Sequence, residues 1–186
     1  MVERTHYVTK DISRVLISEY KIRDRVSELA KKISDDFENS QLVMVCTLRG
    51  GCMFFADLVR EIDIPAELEF IAVSSYGGST STGDINIKCD VTCDIEGKDV
   101  IIVEDIVDTG ITLSKLSKHL EKRNPKSLSI CALLDKKERR EADVECRYVG
   151  FECPNEFVVG YGLDYNGKYR NYKAIGALKP EIYENE

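Results

Sequence analysis

The sequence predicts an α/β fold with a mostly parallel central sheet flanked by helices. Short, nearly continuous apolar runs are typical of strands that are buried on both faces. Between these runs lie segments whose apolar residues recur at helical spacing. Such alternation implies right-handed crossovers within one sheet. The chain has 186 residues, of which 43% are hydrophobic and 32% charged, and these values fit one globular domain.

The N-terminal half of the chain shows this alternation. Residues 12–17 read as a short strand, and Ser18 offers an N-cap for an amphipathic helix over 19–38. Residues 42–48 form an apolar run that Arg49-Gly50-Gly51 ends. The further predictions here are a helix over 52–62, a strand over 66–74, a polar loop over 75–83 and a returning strand over 85–93.

The C-terminal half continues the same pattern. The predicted elements are strands over 99–103, 127–134, 147–152 and 156–161 and a helix over 111–123. Ligands of such sheets bind beyond the carboxyl ends of the strands. That rule points to Arg49-Gly50-Gly51, to the segment from Glu104 to Thr112, and to the turn around Lys136.

Charge and cysteine content narrow the function classes. A formal net charge of −7 disfavours a whole-surface nucleic-acid binder. The cluster at 136–140 mixes both signs and is interpreted as a solvated turn. No uncharged apolar stretch approaches the roughly 20 residues that span a bilayer, and residues 1–6 show no signal-peptide core, so we expect a cytoplasmic protein. The seven cysteines form no Cys-x-x-Cys pair and predict buried thiols in a reducing compartment.

The segment from Val100 to Thr112 is the most informative part of the chain. A buried strand runs into Glu104 and Asp105, and residues 108–112 then precede a helix. The backbone N–H groups and hydroxyls of such a helix start make a phosphate cradle. The sequence contains neither a Walker A pattern nor Gly-x-Gly-x-x-Gly. Two acids beside a phosphate suit ribose hydroxyls or a divalent cation. The alternative is a purely structural role, with Asp108 as an N-cap and Glu104 and Asp105 as solvated loop acids.

This segment resembles the phosphoribosyl-pyrophosphate signature of the type I phosphoribosyltransferases, and the rest of the chain resembles their bacterial members that act on hypoxanthine and guanine. The resemblance extends from about Val15 to Tyr183. Its other specific pieces are 48–51 with 54–58, 75–77 with 81–84, 149–152, and 157–166 followed by Arg170. The family resemblance implies one domain over 1–186, with a small hood built from terminal segments, and a homodimer or homotetramer.

The resemblance also implies a reaction and the residues that contact the phosphoribosyl donor. The family joins a purine to ribose 5-phosphate and releases pyrophosphate with Mg²⁺. Glu104 and Asp105 would hold the ribose hydroxyls and a magnesium ion. The 5-phosphate would be wrapped by Asp108, Thr109, Gly110, Ile111 and Thr112. Asp108 would also act as the general base near purine N7.

Three groups would contact pyrophosphate, namely Arg49, Gly50 and Arg170. Arg49 stands where the family often has lysine. The pattern leaves open whether its side chain or the backbone N–H groups of Gly50 and Gly51 dominate this contact.

The resemblance assigns the purine contacts to residues nearer the C-terminus. Lys136 would meet the 6-oxo group, Phe157 would stack on the base, and the Val158 backbone would bind its edge. Asp164 belongs with these residues and would also hold a second magnesium. Ser75 and Tyr76 would belong to a loop that closes over the site and excludes water.

Two other readings of the sequence stay open. A non-catalytic module that senses phosphoribosyl pyrophosphate or a nucleotide could share this fold, since fold does not decide function. An enzyme of the same fold could instead prefer xanthine or a pyrimidine. Lys136 and Phe157 favour a 6-oxopurine, but they do not rank hypoxanthine, guanine and xanthine.

Overall fold

Two β-sheets organise the protein in a computed structural model that describes residues 10–74 and 85–184. The strands are β1 (Ile12–Ile17), β2 (Leu42–Leu48), β3 (Ala66–Ser74), β4 (Asn86–Cys89), β5 (Asp99–Val107), β6 (Ser127–Asp135), β7 (Tyr148–Glu152), β8 (Val158–Val159) and β9 (Ile175–Leu178). The helices are α1 (Glu19–Asp36), α2 (Cys52–Glu61), α3 (Ile111–Glu121) and α4 (Pro180–Tyr183), with a 3₁₀ turn at Lys137–Arg139.

The larger sheet has six strands in the order β4-β3-β2-β5-β6-β7. Its pairs are parallel except for β3 with β4, which is antiparallel. Its two central strands, β2 and β5, are almost entirely buried, because helices cover both faces of the sheet. The expectation of a mostly parallel sheet flanked by helices is confirmed.

A small antiparallel sheet in the order β1-β9-β8 lies apart from the large one. It joins a strand near residue 12 to two strands from the last third of the chain. The sequence did not indicate β9, a four-residue strand that is buried throughout. So short an apolar segment carries no periodicity that separates it from a loop.

Successive side chains of β5 enter two different cores. Ile101 and Val103 pack in the core that contains α1 and α2, whereas Val100 and Ile102 pack in the core that contains α3. This division follows from the two-residue period of a strand. The alternation does not continue to the end of the strand, because Ile106 packs against the core of α1 and α2 whereas Val107 lies in the core of α3.

Strand ends differ from the sequence-based expectations for visible reasons. β5 continues four residues past Val103, because β6 extends alongside it and Val107 pairs with Asp135. β4 ends at Cys89, short of the expected 93, and the N–H groups of Thr92 and Cys93 bind the Glu69 carboxylate at 3.2 and 2.8 Å. Side-chain hydrogen bonds there replace the pairing that a longer strand would need.

All seven cysteines are free thiols, as expected. Only Cys46 and Cys131 are buried, so the expectation of burial is right for two of them and wrong for the exposed Cys89. Among the described residues, no helix has both the length and the apolar composition that a membrane span requires.

Two neighbouring residues of α2 allow a test of the packing in the hydrophobic core, because one is buried and the other is exposed. Phe54 is fully buried, whereas Met53 is 41% exposed. We expect Phe54→Ala to lower the free energy of unfolding by about 3–5 kcal/mol, because it leaves a cavity in the core. Met53→Ala should change it by less than about 0.5 kcal/mol. Urea unfolding of both variants measures this, and equal effects would contradict the packing described.

Candidate active site

A cavity of about 280 Å³ lies at the carboxyl ends of β2 and β5. Its floor is the segment from Asp108 to Gly110 and the start of α3. Gly110 has φ +79°, a conformation that glycine adopts without steric cost, and it directly precedes the helix. The first intrahelical bond runs from Ser114 N–H to the Gly110 carbonyl at 2.8 Å, so the amides of the first turn precede it. An anion in this cavity would meet those amides and the positive end of the helix dipole.

Glu104 and Asp105, consecutive residues near the end of β5, both line this cavity. Burial raises the pKa of Glu104 well above its usual range, and the neighbouring Asp105 raises it further. Burial also raises the pKa of Asp105, to about 6. Glu104 Oε2 is buried without a hydrogen-bond partner in the part of the chain that the structure describes. Both carboxyl groups are thus poised to gain from a hydroxyl donor or a cation.

The turn after β2 lies directly against Asp105. A Cβ added to Gly50 would lie 1.6 Å from Asp105 Oδ2, so only glycine fits at this position. The Leu48–Arg49 peptide bond is cis. Gly51 N–H is donated to the Thr47 carbonyl at 3.1 Å and is therefore already used within the turn.

Arg170 is held by its own loop next to this turn. Its Nη1 donates to the Gly162 carbonyl at 2.5 Å, and its Nη2 lies 2.5 Å from Asp164 Oδ1. Asp164 Oδ2 accepts the Gly167 N–H at 2.8 Å. Both oxygens of Asp164 are therefore engaged. Burial is the largest influence on the pKa of Asp105, but Arg170 also lowers it and Asp164 raises it, so both side chains act electrostatically on Asp105.

Asp108 is the first residue of the loop at 108–112 that precedes α3, here called the anion loop, and it lies near the 3₁₀ turn that follows β6. Its Oδ2 is 3.2 Å from Arg139 Nη1, and its Oδ1 is buried without a partner among residues 10–74 and 85–184. A carboxylate oxygen that is shielded and unpaired can accept a proton from a ligand that reaches it. The arrangement therefore suits a general base.

Lys136 is a buried cation at the end of β6. It is only 7% exposed, and its Nζ donates to the Glu156 carbonyl at 2.7 Å. Glu156 is in turn paired with Arg14 of β1 at 2.5 Å. The expectation of a solvated turn is wrong for Lys136, because the lysine head is tied to the residue that precedes Phe157.

Phe157 and Val158 form one edge of the small sheet. The Phe157 ring is 38% exposed and stacks on Tyr183 with centroids 5.0 Å apart. Val158 pairs with Ala177, and Leu178 N–H donates to the Phe157 carbonyl at 2.9 Å. In an antiparallel ladder this makes Val158 a non-hydrogen-bonded position, so its N–H and C=O point away from β9. A planar heterocycle could therefore stack on Phe157 and bond to the Val158 backbone.

The structure brings seven of the sixteen predicted site residues together in this cavity. The cavity is lined by Gly50, Glu104, Asp105, Asp108, Thr109, Gly110 and Thr112. Ile111 is exposed at the helix start and Arg49 is exposed on the turn. Ser75 and Tyr76, predicted for a closing loop, lie outside the described residues.

The sequence analysis did not identify two arginines that contact the site residues without lining the cavity. Arg139 pairs with Asp108, and Arg140 pairs with the buried Asp135 while packing under Gly110. Both arginines belong to the cluster interpreted as a solvated turn, and Arg140 contradicts that interpretation because its side chain is only 17% exposed. Alternating charges in a sequence do not reveal which of them face inward.

A larger cavity of about 800 Å³ lies between α1, α2 and the loop that carries Tyr161 and Arg170. We assign the ligand site to the smaller cavity, because it contains the buried acids and the helix start. Arg170 contributes to the wall of the larger one.

The acid pair suits a divalent cation that is only partly enclosed by protein. In the described parts of the chain, no three histidine, cysteine, aspartate or glutamate side chains converge on one point. The unpartnered Glu104 Oε2 and the raised pKa values of both acids are relieved by positive charge. Mg²⁺ prefers this kind of site, with a few carboxylate oxygens and the remaining ligands from water and phosphate.

Comparison with known proteins agrees with this geometry. The family model for the phosphoribosyl transferase domain matches residues 17–166. The chain is 48% identical over 181 residues to the hypoxanthine-guanine phosphoribosyltransferase of Mycobacterium tuberculosis strain CDC 1551, covering 94% of this chain and 90% of that protein. It is 47% identical over 176 residues to the corresponding protein of Staphylococcus aureus strain Mu50, covering 94% and 98%.

The fold is equally similar to solved structures. A crystal structure of a hypoxanthine phosphoribosyltransferase from Staphylococcus aureus superposes with a TM-score of 0.94 at 46% identity, covering 98% of this chain and 100% of that one. A Trypanosoma cruzi hypoxanthine phosphoribosyl transferase superposes with a TM-score of 0.89 at 42% identity, covering 94% and 95%.

The raised pKa of Asp105 predicts an unusual pH dependence of stability. Its folded-state pKa of about 6 exceeds the unfolded value, so the folded chain binds the proton more tightly. Stability is then lost as pH rises from about 4 through 6. We expect Asp105→Asn to be more stable than wild type by roughly 1–3 kcal/mol at pH 8 in chelator, with a difference that shrinks toward pH 4.

The control is Asp99, a buried aspartate whose pKa is lowered instead of raised. Burial alone would raise the pKa of Asp99, but hydrogen bonds from Lys126 and Ser127 lower it overall. Asp99→Asn should therefore destabilise the protein at pH 8, and the loss should diminish in acid. Urea unfolding across this pH range gives both curves, and a destabilised Asp105→Asn at pH 8 would contradict the assignment.

Proposed function

The chain belongs to the phosphoribosyl transferase family, and from that premise we propose that it works in purine salvage, transferring the 5-phosphoribosyl group from phosphoribosyl pyrophosphate to hypoxanthine and guanine. It is thus a pentosyltransferase that yields a nucleotide and pyrophosphate. The observation that carries the proposal is the cavity in which two adjacent acids, one of them with a buried and unpartnered oxygen, meet the amides of a helix start. A pentose phosphate has the matching groups, a diol and an anion, at one end of the substrate.

The 5-phosphate would bind the loop from Asp108 to Thr112. The amides of the first turn of α3 and the hydroxyls of Thr109 and Thr112 supply the donors. Glu104 and Asp105 would accept hydrogen bonds from the ribose hydroxyls. Since both acids are buried, these bonds are stronger than they would be in water.

Pyrophosphate would lie between the turn after β2 and Arg170. Gly51 N–H is used within the turn, which leaves Gly50 as the glycine amide for the anion. Arg170 is already ordered by the Gly162 carbonyl and Asp164. Arg49 is exposed and would supply a flexible positive charge. We therefore assign the geometry of this contact to backbone and Arg170, with Arg49 adding charge.

The purine would occupy the space between Lys136, Phe157 and Asp108. Lys136 Nζ is a donor with its position set by Glu156, and it matches the 6-oxo acceptor better than the 6-amino group of adenine. Phe157 would stack on the ring, and the outward N–H and C=O of Val158 would bond its edge. Asp108 Oδ1 would accept or stabilise the proton at N7 as the glycosidic bond forms.

Glu104 and Asp105 are the residues that would hold Mg²⁺, with Asp164 acting on a second ion through water because both its oxygens are engaged. When bound, the cation neutralises charge on the departing pyrophosphate. The remaining proposals follow the family: a hood formed by the small sheet, a closing loop at Ser75 and Tyr76, a homodimer or homotetramer, and a cytoplasmic location.

The direct test supplies the purified protein with Mg²⁺, phosphoribosyl pyrophosphate and one base at a time. Nucleotide should form with hypoxanthine and guanine and not with adenine or a pyrimidine. A protein that binds the phosphoribosyl donor in calorimetry yet forms no nucleotide with any base would support the sensing module instead.

Asp108→Asn tests the proposed base. We expect kcat to fall by roughly 10²- to 10⁴-fold, the usual share of general acid–base catalysis. The free energy of unfolding should change little, because the side chain is 37% exposed. Asp35→Asn, at an exposed position near the C-terminal end of α1, is the control. Unchanged turnover in Asp108→Asn would remove this residue from the mechanism.

Lys136→Met tests specificity while keeping most of the buried volume. Losing a charged hydrogen bond to the base should lower kcat/KM for hypoxanthine by about 10- to 100-fold and reduce the preference over adenine. The neighbouring Lys137 is 66% exposed and pairs with Glu152, so Lys137→Met should stay within about twofold. Equal discrimination by both variants would contradict the role of Lys136.

A further inference from the structure

We propose that the hydrogen bond between Tyr161 and Asp57 positions Arg170 for pyrophosphate, which makes Tyr161 and Asp57 positioning residues. The inference rests on the proposed function only for the identity of the anion. Neither residue lines the cavity that holds the acid pair, so neither touches the ribose end of the substrate. Their effect would pass through the backbone of the loop that carries Arg170.

The bond itself is short and partly buried, and both residues line the larger cavity together with Arg170. The Tyr161 hydroxyl donates to Asp57 Oδ2 at 2.6 Å. Burial, together with this bond, raises the pKa of Tyr161, so the phenol remains a donor throughout the working pH range. The other oxygen of Asp57 pairs with Arg60 one turn further along α2. The carboxylate is therefore oriented from two sides.

Tyr161 has a backbone conformation that its side chain disfavours. Its φ is +49°, between Gly160 at +104° and Gly162 at +103°. A residue with a Cβ is disfavoured in this region, because the Cβ comes too close to the following carbonyl oxygen. A non-glycine residue in this unfavourable backbone conformation indicates that contacts of its side chain hold it there. Among residues 10–74 and 85–184, the hydrogen-bond partner of the Tyr161 side chain is Asp57.

Gly162, the residue after Tyr161, makes two hydrogen bonds with Arg170. The Gly162 carbonyl accepts the Arg170 Nη1 bond, and Gly162 N–H donates to the Arg170 carbonyl at 3.0 Å. Tyr161 N–H donates to the Tyr172 carbonyl at 2.7 Å. A rotation of the backbone at Tyr161 would turn the Gly162 carbonyl away from the guanidinium.

The same hydrogen bond also links the Arg170 loop to the Gly50 turn, which is the other proposed pyrophosphate-binding segment. Asp57 lies on α2, which begins just after Gly50 and Gly51. A Cβ added to Gly162 would lie 2.0 Å from the Gly50 carbonyl oxygen, so the two backbones touch. The Tyr161–Asp57 bond thus fastens the Arg170 loop to the helix that follows the Gly50 turn, and it holds both pyrophosphate donors in one arrangement.

The chain offers a matched control for a merely structural role. The Tyr148 hydroxyl donates to Asp36 Oδ2 at 2.7 Å, and burial also raises the pKa of Tyr148. Tyr148 lies on β7 and contacts neither the acid pair nor the Arg170 loop through that bond. Removal of its hydroxyl has the same chemistry as removal of the Tyr161 hydroxyl, but without a path to Arg170.

Calorimetric binding separates the two roles. Magnesium pyrophosphate and the nucleotide product, inosine monophosphate, are each titrated into wild type, Tyr161→Phe and Tyr148→Phe, with urea unfolding measured alongside. We expect Tyr161→Phe to weaken pyrophosphate binding by about 5- to 30-fold, the loss of one oriented charged contact. Binding of the nucleotide should stay within about twofold. Tyr148→Phe should change neither affinity, even if both variants lose similar stability.

Variants of Asp57 test the pair from the other side. Asp57→Asn keeps an acceptor for the hydroxyl and should retain pyrophosphate affinity within about threefold. Asp57→Ala should match Tyr161→Phe, and the double variant Tyr161→Phe/Asp57→Ala should be no weaker than the weaker single one. Additive losses, an unchanged pyrophosphate affinity in Tyr161→Phe, or an equal loss of nucleotide binding would each overturn the proposal. If wild type binds pyrophosphate but forms no nucleotide, the proposed function fails while this comparison can still be made.

Discussion

Two carboxyl groups buried at the end of a central strand are the constraint on which the site depends. Glu104 and Asp105 are drawn out of water because β5 lies between β2 and β6 and continues alongside β6 to Val107. Burial without full pairing costs the folded protein stability, as the raised pKa values of both acids show. Hydrophobic packing on both faces of the sheet offsets that cost. The same burial makes each hydrogen bond or cation contact to these acids stronger when substrate binds.

The surrounding loops are shaped by that pair. Gly50 has no side chain because Asp105 occupies the space that a Cβ would need, and Gly162 has none because the Gly50 carbonyl is there. The Asp105 carboxylate thus lies against the backbone of the turn after β2, and the backbone of that turn lies against the backbone of the Arg170 loop. Close packing of this kind fixes distances between charged groups more firmly than flexible side chains could.

Local patterns of the sequence predicted the components that depend on local physics. The apolar run at Leu42–Leu48 correctly predicted a strand, because a strand buried on both faces is apolar at nearly every position. The spacing after Ser18 correctly predicted a helix, because a helix buried on one face is apolar only every three or four residues. The anion loop at residues 108–112 was predictable because helix-start chemistry resides in consecutive residues. Lys136 and Arg140 were misread as solvated, since their burial depends on Glu156 and Asp135, which contact them only in the folded chain.

By itself, the sequence determined the alternation of strands and helices in the large sheet, the anion loop after β5 and the family to which the chain belongs. Tertiary structure decided which charges are paired: Arg139 with Asp108, Arg170 with Asp164, and the Tyr161 hydroxyl with Asp57 across 104 positions of chain. The physical reason is that backbone conformation follows from neighbours within a few residues. The pKa of a carboxyl group and the orientation of a guanidinium depend instead on burial and on partners that only folding brings within a few ångströms.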